Sequence, residues 1–237
     1  MNNAPDVDEN FVDFKCPHCG ELVSFPGEAS GQMEECFSCG ETFIVPTEGE
    51  TGRKIPLPLA TPHLVLRRFG GADWKDLLNL FSNDEFCEQA PFLLDGEERV
   101  VRWLEEDAAT KLTTPNVPFN LAVQSSESGK LAGIITLTYS DAARLQPVLQ
   151  VALMPEYAQR GLKVEAVRGA FELCFAGLGL HRVLAYCLSA DTNSCQTYEK
   201  AGMRREGEFV QNRRLGDEWV NTAAYAILRD EFKKGGA

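Results

Sequence analysis

Two hydrophobic periods alternate along residues 61–237, one of strand type and one near the helical repeat. The run V-L-Q-V-A-L at 148–153 suits a buried strand that ends before Pro155. A turn at 158–163 follows. Apolar positions then recur at Val167, Ala170, Phe171, Cys174 and Phe175, a spacing that predicts a helix from about Val164, closed by Gly177 and Gly179. Residues 182–188, R-V-L-A-Y-C-L, predict the next strand. Upstream, 63–69 reads as a strand. Asp73 then caps a helix carrying Trp74, Leu77, Leu78 and Phe81 on one face. A second helix over 97–109 turns Val100, Val101 and Leu104 inward, and T-T-P-N-V-P at 113–118 makes a loop. Strands at 119–124 and 131–139 meet through S-S-E-S-G-K, and strands at 207–213 and 218–229 complete the set. The alternation predicts an α/β (α+β) domain, a mixed central sheet flanked by helices.

The first part of the chain has another texture. Short strands at 12–15, 22–25, 34–35 and 42–45 surround two cysteine pairs. Pro46, Pro56 and Pro58, with Gly49 and Gly52, make 47–60 a linker without regular structure. The expected division is therefore a module at 1–46, a linker at 47–60 and a larger domain at 61–237.

The pairs are Cys16-Pro17-His18-Cys19 and Cys36-Phe37-Ser38-Cys39, each followed by glycine. C-x2-C repeated after sixteen residues is zinc-ligand spacing. Four thiolates around Zn²⁺ form a closed tetrahedron, so the metal is expected to be structural and to supply folding free energy that so short a module lacks. The pattern looks like a zinc ribbon. Disulfides are the competing reading, disfavoured in a reducing compartment.

Composition narrows the partners. The net charge of the 237-residue chain is −12, and residues 1–52 hold eleven acids against the one base Lys15. That front end disfavours nucleic acid and would attract a basic protein, or simply keep the chain soluble. No apolar run reaches the roughly 18 residues of a membrane span, and the acidic start is unlike a signal peptide. A cytoplasmic protein with no membrane partner is expected.

A strand, a glycine turn and a helix N-terminus in succession make an anion site, because the first helical N–H groups are unpaired and the dipole is positive there. The stretch 148–203 resembles the GNAT superfamily of acetyl-CoA-dependent N-acetyltransferases, most closely the branch that acetylates ribosomal-protein N-termini. The family's diphosphate turn, Q/R-x-x-G-x-G/A, aligns on Ala158, Gln159, Arg160, Gly161, Leu162 and Lys163. Its E-K-x-G-F run appears as Glu199-Lys200-Ala201-Gly202-Met203, preceded by Tyr198. G-L-H-R-V at 179–183, R-R-E-G at 204–207 and T-P-H-L-V-L-R at 61–67 extend the likeness over about 60–232.

The resemblance implies a GNAT fold and acetyl transfer from acetyl-CoA to an amine, on a protein N-terminus or a small molecule. It implies pantetheine beside Val151, Ala152 and Leu153, and coenzyme contacts from Gln159, Arg160, Gly161, Leu162, Lys163 and Asn193. It implies a general acid at Tyr198, with Ser194 as second choice. Glu156, just past the strand, is the candidate base or water-orienting group, against an ordinary surface glutamate. Cys195 needs no nucleophilic role in this chemistry. The chain departs from the family at Lys163 and Ala158, and at Asp191, where the family has asparagine. Those departures keep a second reading open, a catalytically idle GNAT fold serving as a zinc-dependent interaction module.

Overall fold

A computed structural model describes residues 11–30, 32–46, 53–54, 57–90, 92–110, 116–139 and 146–234. The chain divides into two units, Met1–Ile55 and Pro56–Ala237.

In the smaller unit β1 (Phe11–Lys15) pairs antiparallel with β2 (Leu22–Pro26), and β3 (Met33–Glu35) with β4 (Thr42–Ile44). Each cysteine pair follows or precedes these strands, so strand pairing sets the spacing between the two thiol turns. The core is Phe14, Val23, Phe25, Ala29, Phe43 and Val45 with Cys16 and Cys36. Phe25 packs against Phe14, Phe37 and Phe43 with ring centroids 5.1–6.0 Å apart. β5 (Arg53–Lys54) adds to β4.

The larger unit is an eight-stranded sheet. In chain order it holds β6 (Leu59–Ala60), β7 (Leu64–Arg67), β8 (Phe119–Ser125), β9 (Leu131–Tyr139), β10 (Pro147–Leu153), β11 (Arg182–Leu188), β12 (Arg204–Leu215) and β13 (Glu218–Leu228). They lie in the order β12-β13-β11-β10-β9-β8-β7-β6. Every pairing is antiparallel except β10 with β11. The expected linker thus contains two strands, β5 and β6, which form where β4 and β7 offer free edges; sequence composition does not register such edges.

Helices α1 (Trp74–Phe81), α2 (Asp84–Gln89) and α3 (Glu97–Ala109) bury Leu77, Leu80, Phe86, Val100 and Leu104 against Ala122, Ile134 and Ala152 of the sheet. Each such side chain contributes about 1.5–3 kcal/mol by leaving water. Val101 is 38% exposed, since one residue past Val100 the helix has turned about 100°. Asp73 does not bond the first turn of α1. It accepts from both guanidinium arms of Arg67 at 2.7 Å and from the Gly70 N–H at 2.8 Å. The stronger charge-assisted pair wins the carboxylate. Of the expected loop 113–118, residues 113–115 lie outside the described residues.

After β10 the chain makes a short helix α4 (Pro155–Gln159), and α5 (Leu162–Glu172) begins two residues before the expected Val164. Gly161 separates them at φ 78°, a left-handed conformation that bulky side chains resist. Past Glu172 the helix widens into a π turn, Leu173–Gly177. α5 lies against β7 and β10. Its Glu165 accepts from the Thr61 hydroxyl at 2.5 Å and the His63 N–H at 2.7 Å, which anchors the helix to the start of β7. α6 (Thr192–Ala201) and α7 (Arg229–Lys234) follow β11 and β13. Among the described residues no helix is long and apolar enough to cross a membrane.

Gly133 on β9 faces Leu153 of β10, and a Cβ there would stand 2.1 Å from the Ala152 carbonyl oxygen. Gly133→Ala is expected to cost roughly 2–3 kcal/mol, the upper part of the range for overpacking. Urea denaturation reads this as a lowered midpoint; an unchanged midpoint would contradict the close approach.

Candidate active site

β10 and β11 pair only at Val148↔Leu184 and Leu149↔Ala185. Beyond Leu149, β10 stays bonded to β9 as far as Leu153, while β11 stays bonded to β13 as far as Leu188. Each strand is held by its outer neighbour, so the two part like the arms of a V. Gln150 and Val151 on one arm and Tyr186, Cys187 and Leu188 on the other line a cavity of about 210 Å³, with Ser194 and Tyr198 of α6. Such a gap leaves backbone N–H and C=O groups of two facing strands for an extended guest.

A second cavity of about 510 Å³ lies where α5 and α6 begin. Ala158, Gln159, Gly161, Asn193 and Ser194 line it. Two helix N-termini therefore face one space, and their positive dipole ends favour an anion there, with Lys163 and Lys200 on the same lining against the carboxylates of Glu85, Glu88 and Asp191. A Cβ on Gly161 would meet nothing within 4 Å, so the space beside the turn is open.

Lys163 borders both cavities. Its Nζ donates to Gln89 Oε1 of α2 at 2.9 Å and approaches Ser194 Oγ of α6 at 3.5 Å. Burial lowers its pKa from the ordinary lysine value, partly offset by the Asp191 carboxylate. Asp191 caps α6, accepting the Ser194 N–H at 3.0 Å. Tyr198 is buried, with its ring 5.6 Å from that of Tyr225. Burial, helped by the nearby Asp191 carboxylate, pushes its phenol above the ordinary tyrosine range and keeps it protonated.

The sequence-derived residues do not all meet here. Val151, Gly161, Gln159, Lys163, Asn193, Ser194 and Tyr198 border one cavity or both. Ala152 and Leu153 are fully buried in the sheet and offer only backbone. Leu162 is buried beside the turn. Arg160 points elsewhere: its guanidinium bonds Glu127 at 3.0 Å and borders a separate cavity with Pro62 and His63. Glu156 is exposed on α4 and borders neither cavity. α2, with Gln89 and the exposed Glu88, was not legible from periodicity, because six residues are too few to show it. Its signal is Asn83, whose side chain accepts the Phe86 N–H at 2.8 Å ahead of Asp84 and Glu85. Arg213 and Leu215, at the far end of β12, also reach the strand gap.

In the smaller unit Cys16, Cys19, Cys36 and Cys39 bring their sulfurs within 4.8 Å of one another. Cys16 and Cys39 are 3.9 Å apart, Cys19 and Cys36 3.7 Å. A tetrahedron with Zn–S bonds of about 2.3 Å has edges of about 3.8 Å, so the set fits that ion. The two turns are built alike: Gly20 N–H bonds Cys16 O at 2.9 Å and Gly40 N–H bonds Cys36 O at 2.8 Å. Both glycines have positive φ, 81° and 71°. His18 stays outside the cluster, with Nε2 3.1 Å from the Thr42 carbonyl oxygen.

A family model described as an acetyltransferase (GNAT) domain matches residues 63–204. Over 177 residues the chain is 27% identical to an uncharacterized N-acetyltransferase, YnaD, of Bacillus subtilis (strain 168), across 73% of this chain and 98% of that protein. A GNAT-family acetyltransferase structure from Bacillus anthracis is similar with a TM-score of 0.63 at 26% identity, covering 73% of this chain and 98% of its own. The spermidine N-acetyltransferase of Vibrio cholerae, solved with CoA and spermine, has a TM-score of 0.62 at 17% identity, covering 73% and 99%; at that identity the likeness is one of fold. The matched residues include the parted strands, the Gly161 turn and the start of α6, and they make up more than half of the chain: it belongs to the GNAT acetyltransferase family.

Proposed function

We propose that the protein acetylates a primary amine, a protein N-terminus or a small amine, with the acetyl-CoA diphosphate at the Gly161 turn and pantetheine between β10 and β11. The divergence of these strands after Leu149, opening toward two helix N-termini, carries the proposal. Gly161 lets the backbone approach the diphosphate, and Asn193 borders the same space. Lys163 borders both the diphosphate space and the strand gap, so its Nζ can leave Gln89 for either one. Backbone N–H groups freed at Val151 can bond the amide groups of the pantetheine arm and the oxyanion formed when the amine attacks. Tyr198, protonated and at the gap, gives its proton to the departing thiolate; Ser194 is the second candidate. Glu156, exposed and bordering neither cavity, is assigned no role. An α-amine, with a pKa near 8 against about 10.4 for lysine, needs the least help in losing its proton.

The ribbon holds a structural Zn²⁺ on its four cysteines, and the acidic chain favours a basic acceptor, whether a basic protein or a polyamine. The idle-fold reading draws on Lys163 standing between the two cavities and on Asp191 in place of asparagine.

Thermal unfolding with acetyl-CoA separates the two. At about a hundred times Kd the ligand stabilises by about 2.7 kcal/mol, seen as a raised midpoint. Gly161→Val removes the shift, since a β-branched residue cannot hold φ 78° without strain. No stabilisation of the unaltered protein at millimolar acetyl-CoA would leave only the idle fold.

A further inference from the structure

Of the lysines whose side chains the structure describes, Lys163 alone is not solvent-exposed. It stands where the two cavities adjoin, between Gln89 of α2 and Ser194 of α6, and shares the strand gap with Val151 and Tyr198. A thioester reaching that gap from the helix N-termini must pass this amine. We infer that Lys163 is itself an acetyl acceptor, taking the acetyl group from coenzyme held in its own groove when no other amine is bound.

This rests on the coenzyme position proposed above. The Lys163 ammonium first gives one proton to solvent. The Nζ lone pair then attacks the thioester carbonyl carbon, the C–N bond forms and the C–S bond breaks. The bonding pair leaves on sulfur, which takes up the second Nζ proton. Nε-acetyl-lysine, coenzyme A thiol and one released proton are the products, with no oxidant or further reactant. The surroundings favour the first step: burial penalises the ammonium, so the neutral amine is commoner here than at an exposed lysine. The flexible four-carbon stem lets Nζ reach either cavity once it releases Gln89. Tyr198, protonated and in the same gap, can supply the sulfur proton in place of Nζ.

The full chain, incubated with acetyl-CoA and no added amine, is digested and read by mass spectrometry at every lysine. The expected result is one acetyl group at Lys163, appearing at a rate that saturates with acetyl-CoA. It should form at least about tenfold faster than at exposed Lys130 or Lys200, because a held thioester reacts far ahead of collisions in solution. Lys163→Arg should leave that peptide unmodified. Gly161→Val should slow Lys163 to the rate of the exposed lysines while leaving those unchanged. If acetyl-CoA raises the unfolding midpoint yet Lys163 is modified no faster than Lys130, the inference is overturned and the coenzyme site stands. If acetyl-CoA neither stabilises the protein nor modifies Lys163, both fall together.

Discussion

Tyr198→Phe is expected to lower turnover by about a hundredfold or more while leaving the stabilisation by acetyl-CoA in place. Positioned acids contribute about 10²- to 10⁴-fold when a proton must move in the transition state. The phenol is buried at the strand gap, and its proton is held tightly by burial and by neighbouring negative charge. It is therefore neutral throughout the physiological range, so a proton is present beside the gap when the thiolate departs. Phenylalanine keeps the ring, and with it the packing against Tyr225, so fold and coenzyme binding should survive. The measurement is thiol release with a panel of α-amines and polyamines, alongside thermal unfolding of the variant. Full turnover by Tyr198→Phe would transfer the role to Ser194, and Ser194→Ala then becomes the decisive variant.

Removing metal should unfold the ribbon and spare the acetyltransferase unit. The ribbon buries Phe14, Val23, Phe25, Ala29, Met33, Phe43, Ile44 and Val45 plus two of the cysteines, too few apolar side chains to offset the ordering of its chain. Structural zinc supplies about 10–16 kcal/mol at neutral pH in comparable small modules, and that energy is folding energy. Chelation, or Cys36→Ser, should therefore abolish amide protection across 11–46. One zinc per chain should be lost, while protection in β8 to β11 is unchanged, because that unit has its own core. Hydrogen exchange with metal analysis measures both. A ribbon that stays protected after the metal is gone would show that the four thiols do not hold its fold.

Local order in this chain was readable wherever a pattern ran long enough to repeat. The strands at 131–139 and 182–188 and the helix at 97–109 coincide with their hydrophobic periods. The cysteine turns and Gly161 were readable for another reason, since C-x2-C-x-G and a turn glycine answer to backbone geometry within a few residues. α2 escaped because it is short, and β6 because a two-residue strand exists only where a neighbour pairs with it.

The roles of charged side chains were the least legible. Asp73 looked like a cap and instead holds Arg67; Arg160 looked like a phosphate ligand and instead meets Glu127; Glu156 lay near in sequence and borders neither cavity. A flexible charged side chain takes the partner that folding brings within reach, and such partners are remote in sequence, as Gln89 is from Lys163.

The sequence by itself determined most of the strands and helices, the four-thiol cluster and the glycine turn, because each depends on backbone preference or burial pattern among near neighbours. Only the tertiary structure decided where β10 leaves β11, how two helix N-termini came to share one cavity and why Lys163 stands beside it. Those depend on how β9 and β13 hold the outer sides of the two strands, and that competition between distant hydrogen-bonding partners has no local signature.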